Sequence, residues 1–167
     1  MEMDTKIELL NATIAQPDNI IMSNINLEIK SGELVYLIGR TGSGKSSLLK
    51  TLYAELPLAK GIGTVAGFQL EKIKNKQIPF LRRKLGIVFQ DFQLLTDRNV
   101  NENLKFVLKA TGWKNKIEID RRIQEVLEKV GLAQKGYKMP NELSGGEQQR
   151  VVIARALLNN PEIILAD

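Results

Sequence analysis

The chain has 167 residues, of which 43% are hydrophobic and 26% charged, with a formal net charge of +5. This length and composition predict one globular domain rather than a disordered or fibrous chain. There is no cysteine and no histidine, which excludes a disulfide framework, thiolate chemistry and an imidazole base within these residues. The basic residues are scattered among acidic ones and are densest over 72–84, so the charge alone does not predict binding to nucleic acid.

The sequence contains no segment that is predicted to insert into a membrane. The first residues, Met-Glu-Met-Asp-Thr-Lys, lack the basic start and apolar core of a signal peptide. No apolar run approaches the roughly 20 residues that a membrane-spanning helix needs. We therefore expect a soluble chain that reaches a membrane only through a partner.

Short apolar runs predict six strands. The first two runs are the more polar and predict an antiparallel edge with one face in water. The runs that begin at positions 34, 85 and 163 are continuously apolar and predict strands buried on both faces of a parallel sheet. In chain order, the predicted strands are 7–14, 20–29, 34–38, 64–68, 85–89 and 163–166.

Four helices are predicted between these strands. The third has an apolar stripe opposite its charges, and Gly131 stands where it should stop. The last is apolar nearly all round over 151–158, which predicts burial, and Pro161 marks its end. Strands that alternate with helices predict an α/β fold. In chain order, the predicted helices are 45–55, 101–110, 116–130 and 146–159.

The first segment that carries chemistry is a glycine-rich loop. Residues 39–46, Gly-Arg-Thr-Gly-Ser-Gly-Lys-Ser, match the phosphate-binding pattern G-x-x-x-x-G-K-[ST] between a predicted strand and a helix. Its N–H groups and the helix dipole suit phosphate, Lys45 suits the β- and γ-phosphates, and the Ser46 hydroxyl can reach Mg²⁺. A plain glycine-rich turn is the alternative. The predicted ATP-binding residues are Gly39, Arg40, Thr41, Gly42, Ser43, Gly44, Lys45, Ser46 and Ser47.

Two later segments add to this site. The apolar strand at 163–166 ends in Asp167, which beside a phosphate loop can hold Mg²⁺, although many strands end in Asp as a turn residue. Residues 143–150, Leu-Ser-Gly-Gly-Glu-Gln-Gln-Arg, predict a helix start with a capping box between Ser144 and Glu147. Two adjacent glycines are costly there unless something approaches the backbone, so this helix start is a second predicted anion site.

These segments resemble the motifs of the nucleotide-binding domains of ABC ATPases, in the family's order and over nearly the whole chain. Residues 143–150 resemble the signature motif, 39–46 the Walker A motif and 163–167 the Walker B motif. Gln90, which follows the predicted strand 85–89, resembles the Q-loop glutamine.

The resemblance implies an α/β P-loop NTPase fold with a RecA-like parallel core. The core and an antiparallel β edge would occupy 1–90 and 145–167, and a helical subdomain would be inserted over 91–144. These three stretches would form a single ABC ATPase domain, incomplete at its C-terminus.

The resemblance also implies a mechanism. Two such domains would pair head to tail on MgATP as a homodimer, and each signature helix would contact the γ-phosphate held by the other domain. The implied signature contacts are Ser144, Gly145, Gly146 and Glu147; the implied catalytic residues are Gln90 and Asp167; and the implied Mg²⁺ ligands are Ser46, Gln90 and Asp167.

A finer resemblance, carried by 78–103 and supported by 48–53, is to the FtsE group of cell-division ATPases. That group pairs with a membrane protein, FtsX, that regulates cell-wall hydrolysis. The resemblance implies a cytoplasmic ATPase, peripheral on the inner face of the cell membrane through an FtsX-like partner, and no nucleic-acid partner. The alternatives are an ATPase of lipoprotein release or macrolide efflux, separated only by 92–98, and a soluble ABC protein acting on nucleic acid or ribosomes.

Three departures from the family pattern bear on activity. The family's catalytic glutamate directly follows the Walker B aspartate, and its switch histidine and dimer-contact loop come later, whereas this chain ends at Asp167. We therefore expect residues 1–167 alone to hydrolyse ATP little. The aromatic residue on which the family stacks adenine is expected within 14–18, where this chain has none. We expect binding dominated by the phosphates, with little preference for ATP over GTP.

The segment 91–100 is expected to dock the membrane partner. Three apolar side chains there, Phe92, Leu94 and Leu95, follow no helical or strand period that would bury them all. Arg98 would add a polar contact at the rim of this surface. The alternative is that the three apolar side chains pack beneath the helical insertion.

Overall fold

The computed structural model describes residues 4–167, and it divides the chain into two compact units. The first ends at Lys84 and the second runs from Leu85 to Asp167. None of the helices described within residues 4–167 is long and apolar enough to span a membrane. The predicted division into an α/β core over 1–90 and 145–167 and a helical subdomain over 91–144 stays a prediction.

The first unit is built on a four-stranded antiparallel sheet with the strand order β2-β1-β3-β4. The predicted antiparallel edge is confirmed, because the first two strands pair as a hairpin through Pro17 and Asp18. The strands are β1 (Thr5–Gln16), β2 (Asn19–Lys30), β3 (Leu58–Val65) and β4 (Phe68–Gln69); the helices are α1 (Lys45–Leu52) and α2 (Ile78–Arg83), with 3₁₀ turns at Leu70–Lys72 and Asn75–Gln77.

A bulge in β1 sets which residues of the sheet are buried. Ile7 and Leu9 are buried before the register shift, and Ala12, Thr13 and Ile14 are all buried after it. At the bulge, Asn11 has a φ of 48° and its N–H donates to the Asn26 side chain at 3.0 Å. Gly61 of β3 faces this point: a Cβ there would lie 2.5 Å from the Asn11 carbonyl oxygen, so the sheet closes only around glycine.

The strand predicted over 34–38 is wrong. The structure has no strand there, and its five apolar side chains are exposed, with Ile38 at 90%. A continuous apolar run predicts a strand that is buried between neighbouring strands, and within residues 4–167 no strand pairs with residues 34–38. The described residues therefore do not provide the neighbouring strands that this apolar run would need for burial.

Two further boundaries differ from the predictions in the first unit. The run 64–68 is not one strand but the turn of a hairpin: β3 ends at Val65 and Ala66, with a φ of 47°, begins the turn into β4. The predicted helix 45–55 stops at Leu52, because Ala54 adopts a φ of 55° and reverses the chain. In both places an alanine takes a conformation that its sequence context does not signal.

The second unit joins two parallel strands to three helices. Its strands β5 (Leu85–Val88) and β6 (Ile163–Ala166) pair in parallel, as the sequence predicts. The predicted burial of β6 on both faces is wrong, because Ile164 is 55% exposed. Gly86 lets β5 approach the last helix, since a Cβ there would lie 2.7 Å from the Ala156 carbonyl oxygen. The helices are α3 (Val100–Ala110), α4 (Lys116–Lys129) and α5 (Gly145–Leu157), with a 3₁₀ turn at Pro140–Glu142.

The three helices enclose one apolar core. Asn99 and Asn115 cap α3 and α4 through side-chain oxygens, and Gly131, with a φ of 70°, follows the end of α4 as predicted. The predicted burial of 151–158 holds for half of the stretch: Val151, Val152, Ala154 and Leu158 are buried, and Ile153 is 37% exposed. The core residues are Val100, Leu104, Leu108, Ile119, Ile123, Val126, Leu127, Leu132, Leu143, Val151, Ala154 and Leu158.

A buried arginine closes the C-terminus of α5. Arg122 of α4 donates to the carbonyl oxygens of Leu157 and Leu158 at 2.6 and 2.9 Å, and to the side chain of Asn160 at 2.7 Å. Its guanidinium also pairs with Glu125 at 2.7 Å. The last carbonyls of a helix have no partner within the helix, so Arg122 supplies the hydrogen bonds that end α5 within the core.

We expect Arg122→Ala to destabilise the second unit. The substitution removes charge-assisted hydrogen bonds worth roughly 1.5–3 kcal/mol each and leaves carbonyls in the core without a partner. The free energy of unfolding should fall by about 2–4 kcal/mol, measured by urea denaturation with the fluorescence of Trp113, the single tryptophan of the chain. Arg121→Ala, at the adjacent exposed position of the same helix, is the control and should change stability little. Equal stabilities of the two variants would contradict the capping role.

Candidate nucleotide-binding site

The predicted phosphate loop lies in the first unit as an exposed turn that opens directly into α1. Gly42 and Gly44 have φ angles of 80° and 94°, conformations that L side chains rarely adopt. Gly44 is the N-cap of α1, and no described side chain caps this helix. Gly44 has no side chain of its own, so the positive end of the helix dipole follows directly on the backbone of the glycine-rich loop, which suits an anion.

The lysine of the loop is held across it by backbone oxygens. Lys45 Nζ donates to the carbonyl oxygens of Gly39 and Arg40 at 2.8 and 2.9 Å. The other side of the loop is equally tight, because a Cβ on Gly39 would lie 2.7 Å from Ser43 Oγ. The ammonium group is thus fixed over the loop whose N–H groups would surround a phosphate.

The loop is also packed against the sheet at its C-terminal end. A Cβ on Gly44 would lie 2.5 Å from Ile21 Cγ2 and 3.1 Å from Met22 Cγ, both on the edge strand β2. Only glycine allows this approach. The side chains of β2 therefore set where α1 begins, and with it the position of the loop.

The second predicted anion site is the N-terminus of α5 in the second unit. The capping box is confirmed: Ser144 Oγ accepts from the Glu147 N–H at 3.3 Å, and the Ser144 N–H donates to Glu147 at 2.9 Å. A Cβ on Gly145 or Gly146 would meet no described heavy atom within 4 Å. Packing within the described chain therefore does not require glycine at either position, and neither glycine places a side chain at the helix start.

The carboxylate in this helix start is paired with a lysine. Lys135 forms an ion pair and hydrogen bond with Glu147. This contact, together with the Ser144 N–H, lowers the pKa of Glu147 from its usual 4.5 to about 2. An unpaired carboxylate would repel a phosphate near the helix N-terminus, and Lys135 offsets that charge.

The Glu147 pair predicts a loss of stability in acid. Because the pKa is lowered in the folded protein, the stabilisation is complete above 4.5 and is lost as the pH falls towards 2. Glu147→Gln retains an acceptor for the cap and removes the charge, so unfolding free energies measured by denaturant titration should fall less steeply over this range. Glu118→Gln, at an exposed position of α4, is the control and should keep the wild-type slope. Parallel curves for wild type and Glu147→Gln would show that the pair contributes nothing.

Gln90 and Asp167 are brought to the same edge of the second unit. Val88 pairs with Ala166 in the parallel ladder, and the Asp167 N–H donates to the Val88 carbonyl oxygen at 3.1 Å. Both side chains follow the carboxyl ends of neighbouring strands and belong to exposed residues. Within residues 4–167 no cluster of three acidic, histidine or cysteine residues could hold a metal ion. A magnesium site here would need the predicted hydroxyl and amide ligands and the nucleotide itself.

Two side chains that hold the segment after Gln90 were not predicted. Arg155 of α5 donates to the carbonyl oxygens of Phe92 and Gln93. The buried side chain of Asn103 accepts from the Leu95 N–H at 2.8 Å and donates to the Leu95 carbonyl oxygen at 2.9 Å. Arg155 could have been found from the sequence, because it is the lone arginine within the apolar stretch 151–158. Nothing in the sequence indicates the role of Asn103.

The chain matches the sequence pattern of a known protein family. The sequence pattern of the family described as ABC transporter matches residues 22–167, which is most of the chain. The chain belongs to the ABC transporter family.

Individual relatives agree with this family. The cell division ATP-binding protein FtsE of Streptococcus pneumoniae is 47% identical over 146 residues, covering 87% of this chain and 63% of that protein. The methionine import ATP-binding protein MetN 2 of Pectobacterium atrosepticum is 41% identical over 152 residues, covering 91% of this chain and 45% of that protein. The chain thus spans less than two thirds of either relative, and the predicted similarity to FtsE proteins is confirmed.

A solved structure extends the agreement to the fold. The dimeric structure of MJ0796, described as a bacterial ABC transporter cassette, matches with a TM-score of 0.85 and 37% identity. The match covers 96% of this chain and 73% of that one. It confirms the predicted P-loop NTPase class of the ABC transporter family.

Proposed function

We propose that the chain is the nucleotide-binding part of an FtsE-type ABC ATPase, which binds MgATP and drives a membrane partner in cell division. The observation that carries this proposal is that one chain presents two glycine-rich helix N-termini, at Lys45 and at Gly145–Gly146, with a lysine fixed over the first. A simple phosphate-binding protein needs only one. The second fits a phosphate that is held by another copy, so that ATP joins two domains.

The nucleotide would be bound through its phosphates. The loop 39–47 would surround the β- and γ-phosphates, with Lys45 exchanging its two carbonyl contacts for phosphate oxygens. The hairpin turn between β1 and β2, within 14–18, offers no aromatic side chain for the base. Adenine would therefore contribute less to affinity than the phosphates do.

Magnesium fits the residues that the resemblance names. The ligands would be the hydroxyl of Ser46, the amide oxygen of Gln90 and the carboxylate of Asp167, which are the oxygen donors that Mg²⁺ prefers. The placement of Gln90 and Asp167 at one edge of β5 and β6 supports this set. When bound, the ion would neutralise charge on the β- and γ-phosphates.

The partners would be a second ABC domain, in an ATP-dependent head-to-tail homodimer, and an FtsX-like membrane protein. The chain would then be cytoplasmic and peripheral on the inner face of the membrane. A transport ATPase is the second candidate, and the 41% identity to a methionine import ATP-binding protein favours it. Both candidates share the site, and co-purification of an FtsX-like protein rather than a transporter would separate them.

The experiment that tests the proposal is Gly146→Asp in the full-length protein. A side chain at this position meets nothing in the described chain, so folding and ATP binding should be unaffected. A carboxylate at this helix start would repel the γ-phosphate of the other domain. We expect ATP-dependent dimerisation, measured by size-exclusion chromatography, and hydrolysis to fall at least tenfold.

Lys45→Ala is the control for that experiment and should abolish nucleotide binding itself. Titration with a fluorescent ATP analogue distinguishes the two variants. Normal dimerisation and hydrolysis by Gly146→Asp would contradict the proposed role of α5.

We propose that the docking surface for the membrane partner is centred on Leu95. Leu94 packs against the helical core and Phe92 is half-buried, so both would contribute less exposed apolar area than the sequence predicts. Leu95 is 37% exposed and Phe106 is 51% exposed. Arg98 lies over the Phe106 ring at 5.3 Å and pairs with Asp97 at 2.9 Å, which fixes it beside this apolar surface.

Adjacent leucines provide a matched test of docking. In the full-length protein, Leu95→Ser should lose co-purification of the membrane partner and keep thermal stability and ATP binding. Leu94→Ser should lower the melting temperature by several degrees, because it removes an apolar side chain that packs against the core. If Leu95→Ser binds its partner normally, the segment does not dock it.

A further inference from the structure

Helix α5 carries one charged side chain within its apolar half, and that side chain reaches the segment that follows Gln90. Arg155 Nη1 donates to the Gln93 carbonyl oxygen at 2.7 Å, and Nη2 donates to the Phe92 carbonyl oxygen at 2.8 Å. These partners are 62 and 63 residues away in sequence. The contact therefore joins the helix that begins at the signature segment to the turn that begins at Gln90.

The turn that Arg155 holds is strained. Phe92 and Gln93 have φ angles of 57° and 48°, two consecutive left-handed residues neither of which is glycine. Such conformations persist only where the surroundings hold them, and they cluster at ligand clamps and switch regions. The local hydrogen bonds of the turn, from Phe92 N–H to Phe89 and from Gln93 N–H to Asp91, involve residues of the turn itself. The two hydrogen bonds from Arg155 hold the turn from outside it.

The chemistry of the contact needs an arginine. The planar guanidinium offers donors in a fixed fork that can bond two neighbouring carbonyls at once, whereas a lysine ammonium is a point charge. Burial lowers the pKa of Arg155, and the charge of Asp91 opposes that effect. The guanidinium stays protonated at any working pH, so the contact is not a pH switch.

The far end of the same segment is held separately. Asn103 of α3 is 3% exposed, and its amide donates to the carbonyl oxygens of Leu95 and Arg98 at 2.9 and 3.0 Å. The segment is therefore attached to α5 at its beginning and to α3 at its end. A movement of α5 relative to α3 would act on the residues between these two attachments.

We propose that Arg155 is a positioning residue that ties the signature helix α5 to the segment after Gln90, so that the two move together. The helix has 13 residues, about 20 Å at the usual rise, and is rigid over that length. If the N-terminus of α5 moved on contact with phosphate, Arg155 would move with the helix and pull on the strained turn at Phe92 and Gln93. The two states that coupling requires are the held, left-handed turn and the released one. This transmission rests on the proposed function, whereas the attachment itself does not.

The attachment is tested by hydrogen exchange on the protein without nucleotide. Arg155→Met keeps the apolar stem and removes both donors; we expect amides within 91–95 to exchange at least tenfold faster, with α3, α4 and the melting temperature little changed. Arg155→Lys should restore part of the protection. Arg150→Met, at an exposed position of the same helix, is the control. A purely structural role would instead lower the melting temperature and raise exchange throughout the core.

Unchanged exchange within 91–95 in Arg155→Met overturns the proposal. If that variant does not fold, Arg155→Lys decides in its place, and wild-type exchange there overturns the proposal equally.

The transmission is tested by repeating the measurement on the full-length protein with MgATP. Wild type should show a nucleotide-dependent change of protection within 91–99, and Arg155→Met should bind ATP without that change. If wild type shows no response to ATP, the proposed function fails, while the first measurement still decides the role of Arg155. An undiminished response in Arg155→Met overturns the transmission.

Discussion

Cationic side chains bonded to backbone carbonyls hold several of the left-handed turns of this chain. In the first unit, Arg82 donates to the carbonyl oxygens of Tyr53 and Ala54 at 3.0 and 3.3 Å, where Ala54 ends α1 at a φ of 55°. Lys84 donates at 3.3 Å to the carbonyl of Ala66, whose φ is 47°. Each left-handed residue that is not glycine costs about 1–3 kcal/mol, and an external charge-assisted hydrogen bond offsets much of that cost.

The second unit uses the same interaction at two turns. Arg122 closes α5 beside Asn160, with a φ of 49°, and Arg155 holds Phe92 and Gln93. Several of the basic residues are thus engaged by backbone carbonyl oxygens within the units. The charge is used to fix loops that precede and follow helices, and the phosphate loop with Lys45 is the exposed case of the same arrangement.

The sequence predicts the elements whose signal is local and misses those set by distant partners. The hairpin of β1 and β2, the helices of the second unit and the capping box of Ser144 and Glu147 all follow from patterns within a few residues. The strand prediction for 34–38 is wrong because an apolar run indicates burial without indicating the strands that provide it. The packing of Leu94 against the core was missed for a related reason. It comes from helices that lie elsewhere in the sequence, and periodicity within the loop cannot reveal it.

Glycines separate what the fold needs from what the site needs. Gly61 and Gly86 are each fixed by a neighbouring carbonyl that a Cβ would strike, and Gly44 is fixed by the side chains of β2. Gly145 and Gly146 have no such neighbour among the described residues, yet both stand in the first turn of a helix, where glycine loses more backbone entropy than alanine does. The sequence places Gly44, Gly145 and Gly146 in motifs, but it does not show which of the five glycines packing requires. The contacts divide them, and the two that internal packing leaves unexplained are the two that an approaching phosphate would require.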